Sequence, residues 1–510
     1  MTFLVSSPPP EGLASRSARA FGWGISASIG KVALTIAVQA TLARLLGPSE
    51  FGIFALGMLI MGLAGYFADI GLATGLVARQ TVRDSDVRFV LTANLAISLL
   101  VASLVMSLAG PLATLFDKPE AEGIFRGLAP VFVLNAMASV SVSLLRREMD
   151  YRTIQLSGLI GYFFGFGLIG VGAAYLFESV YALVAAYLAQ SAITLGLLYR
   201  KTRHPIGLAL ATPDRTDFVG FGLNVLVTNL VNWVVQSIDR LLVGRLFAAA
   251  SLGQYTAAYN LVYAPVGTLY PNVQSTVFSA MARMEQDHRR IARAYLELLQ
   301  AVATLLIPPF VGVYFLAPAL VATVYGGDRW QDAMRIAGPF CLMAPFIVVW
   351  ACSTPVLWNA GRRSLEWKVQ IPFIALALLV ISVAARESIV AVAWGTAALY
   401  ILRTLVIMCM ACRTVSVSAA QISVAFFPAL CLSVFVAGPV WGTVTLLAFG
   451  QQPGFLALAA GLTLIGICML TGLLLVPGCL PATLRKMVAQ RRGSAPPWLQ
   501  PLLSRLGNDR

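Results

Sequence analysis

Apolar stretches of 17 to 28 residues recur along almost the whole 510-residue chain. A helix rises 1.5 Å per residue, so each stretch can cross the roughly 30 Å hydrocarbon layer of a bilayer. Lipid offers no hydrogen bonds to backbone groups, which leaves only helices or closed barrels as spanning structures. Barrel strands would show short segments of alternating polarity, and these stretches do not alternate. Composition points the same way: 58% of the side chains are hydrophobic and 11% charged, against roughly 25% charged in soluble domains. The expectation is an all-α polytopic membrane protein of about fourteen spans. They lie near 20–45, 51–78, 89–115, 123–145, 153–176, 179–199, 217–243, 252–281, 292–324, 333–359, 367–385, 389–411, 417–448 and 454–476.

Basic residues set the orientation, because short loops rich in Lys and Arg stay in the cytoplasm. With a cytoplasmic N-terminus, the inner segments hold 26 of the 36 Lys and Arg and the outer ends 8. The bias recurs in loops 79–88, 146–152, 199–205 and 282–290. Both termini are therefore expected to be cytoplasmic, in a bacterial inner-membrane protein. The net charge of +14 is then topology plus attraction to membrane lipid headgroups, and no nucleic-acid partner is needed. The segment 20–46 has no small-residue cleavage site at the end of a short core and is read as a retained span. All seven cysteines lie beyond residue 340, and Cys409 with Cys412 forms a CxxC inside an apolar run. With His204 and His288 both in loops, neither metal nor cofactor has a foothold, and the cysteines are read as core.

The chain repeats itself. Ala43-Arg44-Leu45-Leu46-Gly47 followed by Gly52 is matched by Asp239-Arg240-Leu241-Leu242-Val243 followed by Gly253, at an offset of about 200 residues. A six-span unit duplicated in one orientation predicts two pseudo-symmetric lobes with a site between them near mid-membrane. The expected organisation is a tail at 1–19, a first lobe at 20–205, a second at 206–413, two additional spans at 414–476 and a tail at 477–510.

Polar groups inside such spans are costly and mark a wet cavity or a partner. In the first span Lys31 sits with Thr35 and Gln39 on one stripe, and in the seventh Asn224, Thr228, Asn232 and Gln236 follow at spacings of four. Tyr259 and Tyr263 offer aromatic faces with hydroxyl handles in the eighth. Asp69 and Arg403 are further deep charges. These eleven residues are the candidate substrate-binding set; interhelical glue and structural ion pairs are the competing uses of the same side chains.

Three stretches, LARLLGPSEFGIFALGMLIMGLAGYFADIGLATGLVAR (42–79), LLRREMDYR (144–152) and LGQYTAAYNLV (252–262), resemble the polysaccharide transporter, or oligosaccharide flippase, family of the multidrug/oligosaccharidyl-lipid/polysaccharide exporter superfamily. The resemblance covers about residues 20 to 410. It implies two six-helix lobes in a V and a transporter with no catalytic residues. The cargo would be an undecaprenyl-diphosphate-linked oligosaccharide, turned to the outer leaflet by alternating access for exopolysaccharide, capsule or O-antigen synthesis. A polysaccharide polymerase or co-polymerase of the same pathway would be a partner. The family expects cavity cations for the diphosphate, and Lys31 is the position that best fits. Alternatives are a cation-coupled multidrug antiporter, which would want an early embedded carboxylate where this chain offers Lys31, and a peptidoglycan lipid-precursor flippase.

Overall fold

The computed structural model describes residues 13–68, 82–207, 215–284, 287–362, 364–447 and 454–481, with 73, 76, 77, 209 and 483–485 besides; for 13–29 and 215–229 only the helical backbone is described. Every regular element among the described residues is helical, as the lipid argument requires. The first helix, α1 (Leu13–Ala68), bends at Gly47, whose backbone stands at φ 78° and ψ 176°. That left-handed φ is open to glycine at no steric cost, and Pro48 behind it begins the second arm in a conformation already suited to a first helical turn.

The remaining helices of the first half are α2 (Asp84–Leu115), α3 (Ala121–Leu128), α4 (Pro130–Arg147), α5 (Tyr151–Tyr162), α6 (Val171–Phe177) and α7 (Tyr181–Thr202). A π-helical turn, Phe163–Gly170, joins α5 to α6. The second half comprises α8 (Arg215–Leu246), α9 (Ala249–Ala282), α10 (His288–Tyr325), α11 (Gln331–Asn359), α12 (Ser364–Ala384) and α13 (Ile389–Thr414). Two final helices, α14 (Ala419–Leu447) and α15 (Phe455–Leu475), pack on α10 through Leu316, Ala319, Val436, Val440 and Ile465. Asp150 caps α5 by accepting from the Thr153 amide at 3.0 Å, and Asp287 caps α10 by accepting from the amides of Arg289 and Arg290 at 3.1 Å. These carboxylates satisfy amides that have no partner within their own helices.

Among the described residues, eleven helices are long and apolar enough to cross a membrane. They take in twelve of the fourteen expected stretches, since the Gly47 bend divides one of them. The other two stretches form α8 and α9, outside the eleven. In α9 the reason is composition: Gln254, Asn260, Asn272 and Gln274 and a series of tyrosines dilute the apolar residues.

The halves meet where the second arm of α1 crosses the start of α9. A methyl group placed on Gly52 would collide with the Ala249 carbonyl, and one on Gly253 with the Pro48 carbonyl. The two glycines paired by the repeat thus lie against each other's backbones. Around them Phe51 meets Trp330 edge-on at 5.8 Å, and Glu50 accepts from the Val180 amide at 2.7 Å. Arg44 donates to the carbonyls of Thr323 and Val324 at the end of α10. The Gly47 end of the molecule is closed.

Candidate functional site

Behind that closure lies a chamber of about 520 Å³. From the first half it takes Gln39, Phe54 and Tyr66 of α1, Tyr162 and Phe166, and Tyr187 and Gln190 of α7. From the second it takes Trp233, Gln236 and Arg240 of α8, with Thr256 and Asn260 of α9. The wall on the first half is aromatic: Tyr162 stacks on Phe166 at 5.3 Å and 21°, and Phe166 touches Phe54 and Tyr187 at 6.4 and 6.2 Å. Spacing along α8 explains the other wall, because Gln236 and Arg240 are one turn apart on the same face.

Arg240 is the chamber's cation. Its Nη2 donates to the Gln236 carbonyl at 2.6 Å, and its guanidinium lies 4.8 Å from the centre of the Tyr259 ring. Asp239, buried behind it, stands 3.8 Å from Nε. The Tyr255 hydroxyl donates to Asp239 Oδ2 at 2.9 Å and lies 3.0 Å from Thr396 Oγ1. The carboxylate is thereby drawn back into the lobe, and the guanidinium is what faces the chamber.

A second, smaller recess of about 120 Å³ opens beside Gln236 within the second half. Tyr263, stacked on Tyr259 at 5.2 Å and 15°, forms part of its wall. Gln370 donates to Asn232 at 3.2 Å, and Gln274 to Thr354 at 2.9 Å. Glu366 accepts from the Trp358 indole at 2.7 Å. Arg403 lies 4.5 Å from the Trp350 ring centre and 4.2 Å from that of Tyr400. It is 5% exposed, and its Nε has no hydrogen-bond partner. A deep arginine costs about 2.5–3.5 kcal/mol on insertion scales, and a desolvated cation–π contact returns about 2 kcal/mol. The rings therefore offset the charge without satisfying its donors.

The structure brings Gln39 and Gln236 together in the chamber, and Asn232, Tyr263 and Arg403 in the recess; Tyr259 lines neither, but its ring lies against Arg240 and is stacked on Tyr263. The Thr35 carbonyl weakly accepts from the Tyr162 hydroxyl at 3.5 Å. Lys31 is exposed and lines neither cavity; it lies two turns below Gln39 on the same helix face, about 12 Å away along the axis. Asp69 lies outside the described residues, as do the side chains of Asn224 and Thr228. Arg240, Tyr162, Tyr187, Gln190 and Trp233 are chamber residues that the sequence reading did not select. For Arg240 the signal was present, since it extends the spacing of four from Asn232 and Gln236 by one step. No metal-ligand cluster occurs among the described residues.

Residues 41–335 match the model of a family described as polysaccharide biosynthesis protein. The chain belongs to that family. Relatives include the succinoglycan biosynthesis transport protein ExoT of Rhizobium meliloti (strain 1021), 26% identical over 68% of this chain and 69% of that one. The lipopolysaccharide biosynthesis protein WzxC of Escherichia coli (strain K12) is 21% identical over 63% and 65%. The teichuronic acid biosynthesis protein TuaB of Bacillus subtilis (strain 168) is 24% identical over 59% and 62%. The matches thus span about two thirds of these relatives. Among solved structures, the lipid II flippase MurJ in an inward closed conformation superposes with a TM-score of 0.71 at 13% identity, over 88% of this chain and 97% of that one. An inward-facing multidrug resistance transporter of the MOP superfamily gives 0.59 at 16%, over 76% and 94%. At those identities the likeness is of fold: this family member has the two-lobed, all-helical fold of the multidrug/oligosaccharidyl-lipid/polysaccharide exporters.

Proposed function

We propose that this chain is a flippase that carries undecaprenyl-diphosphate-linked oligosaccharide units across the bacterial cytoplasmic membrane for polysaccharide synthesis. The observation that supports it most is the chamber: amides, hydroxyls, aromatic faces and one guanidinium, enclosed between two lobes whose exterior is apolar. Sugars and phosphates leave water only where polar groups replace it, and the chamber supplies such groups. Aromatic faces suit the C–H faces of sugar rings, amides suit hydroxyls, and Arg240 suits a phosphate oxygen. About 520 Å³ corresponds to roughly seventeen water volumes. That is room for the head of the cargo, while the polyprenyl tail stays in lipid.

The basic-loop bias makes the Gly47 end the outer end and puts both termini in the cytoplasm. The closed Gly52–Gly253 crossing then seals the outside. Rocking of one lobe against the other would release that seal and close the cytoplasmic side, delivering the unit to a polymerase or co-polymerase in the outer leaflet. Arg240 holds the diphosphate, Gln39, Asn232, Gln236, Tyr259 and Tyr263 contact sugar, and Lys31 attracts the anionic head from the cytoplasmic side. Asp69, Thr35, Asn224 and Thr228 complete the proposed polar path. A cationic drug is a poorer fit, because the charge that faces the chamber is positive. Purified protein in liposomes holding a fluorescent lipid-linked oligosaccharide tests the reading. Label should become accessible across the bilayer faster than in protein-free liposomes; equal rates would refute it.

A further inference from the structure

The recess beside the chamber holds a cation, Arg403, that is held in no direct ion pair, although the Glu366 carboxylate of the same recess acts on it through space. Among the described residues no carboxylate oxygen lies within 4.0 Å of Arg403. The rings of Trp350 and Tyr400 lie 4.5 and 4.2 Å from the guanidinium carbon, and its Nε makes no hydrogen bond. Arg240 differs, with Asp239 3.8 Å from its Nε. A buried guanidinium with an unpartnered donor, lining a polar recess, is better satisfied when an anionic acceptor arrives.

The size and position of the recess say which anion. At about 120 Å³ it has room for roughly four water volumes. A diphosphate is an internal linker, tied to sugar on one side and polyprenyl on the other, and cannot enter a small side recess end-on. A terminal group carrying a single charge fits instead, reaching past Gln236 from the chamber. A carboxylate meets a guanidinium edge through two parallel hydrogen bonds. The amides of Asn232, Gln274 and Gln370 line the same recess, two of them already bonded to Asn232 and Thr354. We propose that this recess is the subsite for a uronic-acid carboxylate on the transported oligosaccharide, read by Arg403. The proposal rests on the flippase reading and refines it from oligosaccharides in general to acidic ones. Glu366 shares the recess with its carboxylate held by the Trp358 indole. Its like charge opposes an incoming carboxylate and weakens the hold enough to permit release.

The test uses the full chain in two formats. In liposomes, two lipid-linked units are compared that differ only in one uronate, free in the first and methyl-esterified in the second. Wild type should move the free acid faster, and Arg403→Gln should slow the acid about tenfold more than it slows the ester, the size of one charge-assisted contact. An equal loss on both substrates would assign Arg403 to the diphosphate or to the fold and overturn the proposal, as would no loss on either. If wild type moves neither substrate, the flippase reading falls, and the subsite is still decided by titrating detergent-solubilised protein with glucuronate, glucose or inorganic phosphate. Tryptophan fluorescence from Trp350 and Trp358 should respond saturably to glucuronate alone, and Glu366→Gln should tighten that response several-fold. Matching responses to glucose or to phosphate, or a weaker response after Glu366→Gln, would refute the subsite.

Discussion

Arg240 and Lys31 are both cations on polar helix faces, yet they occupy different physical environments. Arg240 faces the chamber between the lobes, its position fixed by the Gln236 carbonyl and the Tyr259 ring, so its charge acts at short range and is less screened than one at the surface. Its fork also matters, since a lysine ammonium can neither stack on Tyr259 as a plane nor offer two parallel donors. Arg240→Ala should therefore lower lipid-linked oligosaccharide transport at least about tenfold, and Arg240→Lys should restore only part of it, given about 1.5–3 kcal/mol for a hydrogen bond to a charged group. Initial rates in liposomes, normalised to reconstituted protein, check both; full activity in Arg240→Ala would remove the residue from the site. That Arg240 belongs to the same stripe as Asn232 and Gln236 could be read from spacing. That it points into a chamber could not, because Asp239 beside it made an exposed, paired helix end an equally good use of the same residues. Tyr162, Tyr187 and Trp233 carried no signal at all. An aromatic in a membrane helix looks the same from sequence whether it faces lipid, core or cavity.

At the scale of elements, the outer closure depends on two helices crossing with no side chains between them. Gly52 and Gly253 were paired in the sequence by the internal repeat, and the structure places each against the other's backbone. Repeat symmetry explains why: related elements of two lobes that meet on their shared axis necessarily meet each other. Any side chain here must push the helices apart, because the obstructing atoms are main-chain carbonyls and cannot swing away. Gly52→Val should therefore weaken the seal and bias the protein toward an outward-open state. With a cysteine in place of the chamber residue Thr256 and the native cysteines removed, labelling by an impermeant thiol reagent from the outer side should be several-fold faster in Gly52→Val than in its Gly52 parent, since a shift of about 1 kcal/mol changes a two-state population about fivefold. Unchanged labelling would mean that the crossing is not the barrier. The bend at Gly47 was legible on separate grounds, as a Gly-Pro pair between two apolar runs. The π-helical turn at Phe163–Gly170 was not, because that stretch is apolar on every side and a change of helical pitch leaves no mark on it.

For the whole molecule, lipid left so few choices that fold class followed from hydropathy, and the two lobes from the repeat. The chamber needed three dimensions, since its walls come from helices about 200 residues apart whose faces converge only after packing. Its charge pattern nevertheless makes a prediction about the molecule as a unit. Exposed Lys31 and enclosed Arg240 should differ in how they respond to salt. A Debye length of about 10 Å at 0.1 M shrinks to about 3 Å at 1 M, and screening acts on exposed charges far more than on enclosed ones. If Lys31 steers the anionic head toward the chamber from about 12 Å below Gln39, Lys31→Ala should slow transport at low ionic strength and approach the wild-type rate as salt rises. Arg240→Ala should stay slow at every salt concentration, because its partner is met after water has been left behind. Initial rates across a series from about 20 mM to 1 M potassium chloride, equal on both sides of the liposomes, separate the two behaviours. A Lys31→Ala defect that persists unchanged at high salt would instead put that side chain in direct contact with the cargo, and the absence of a defect at any salt would take it out of the path.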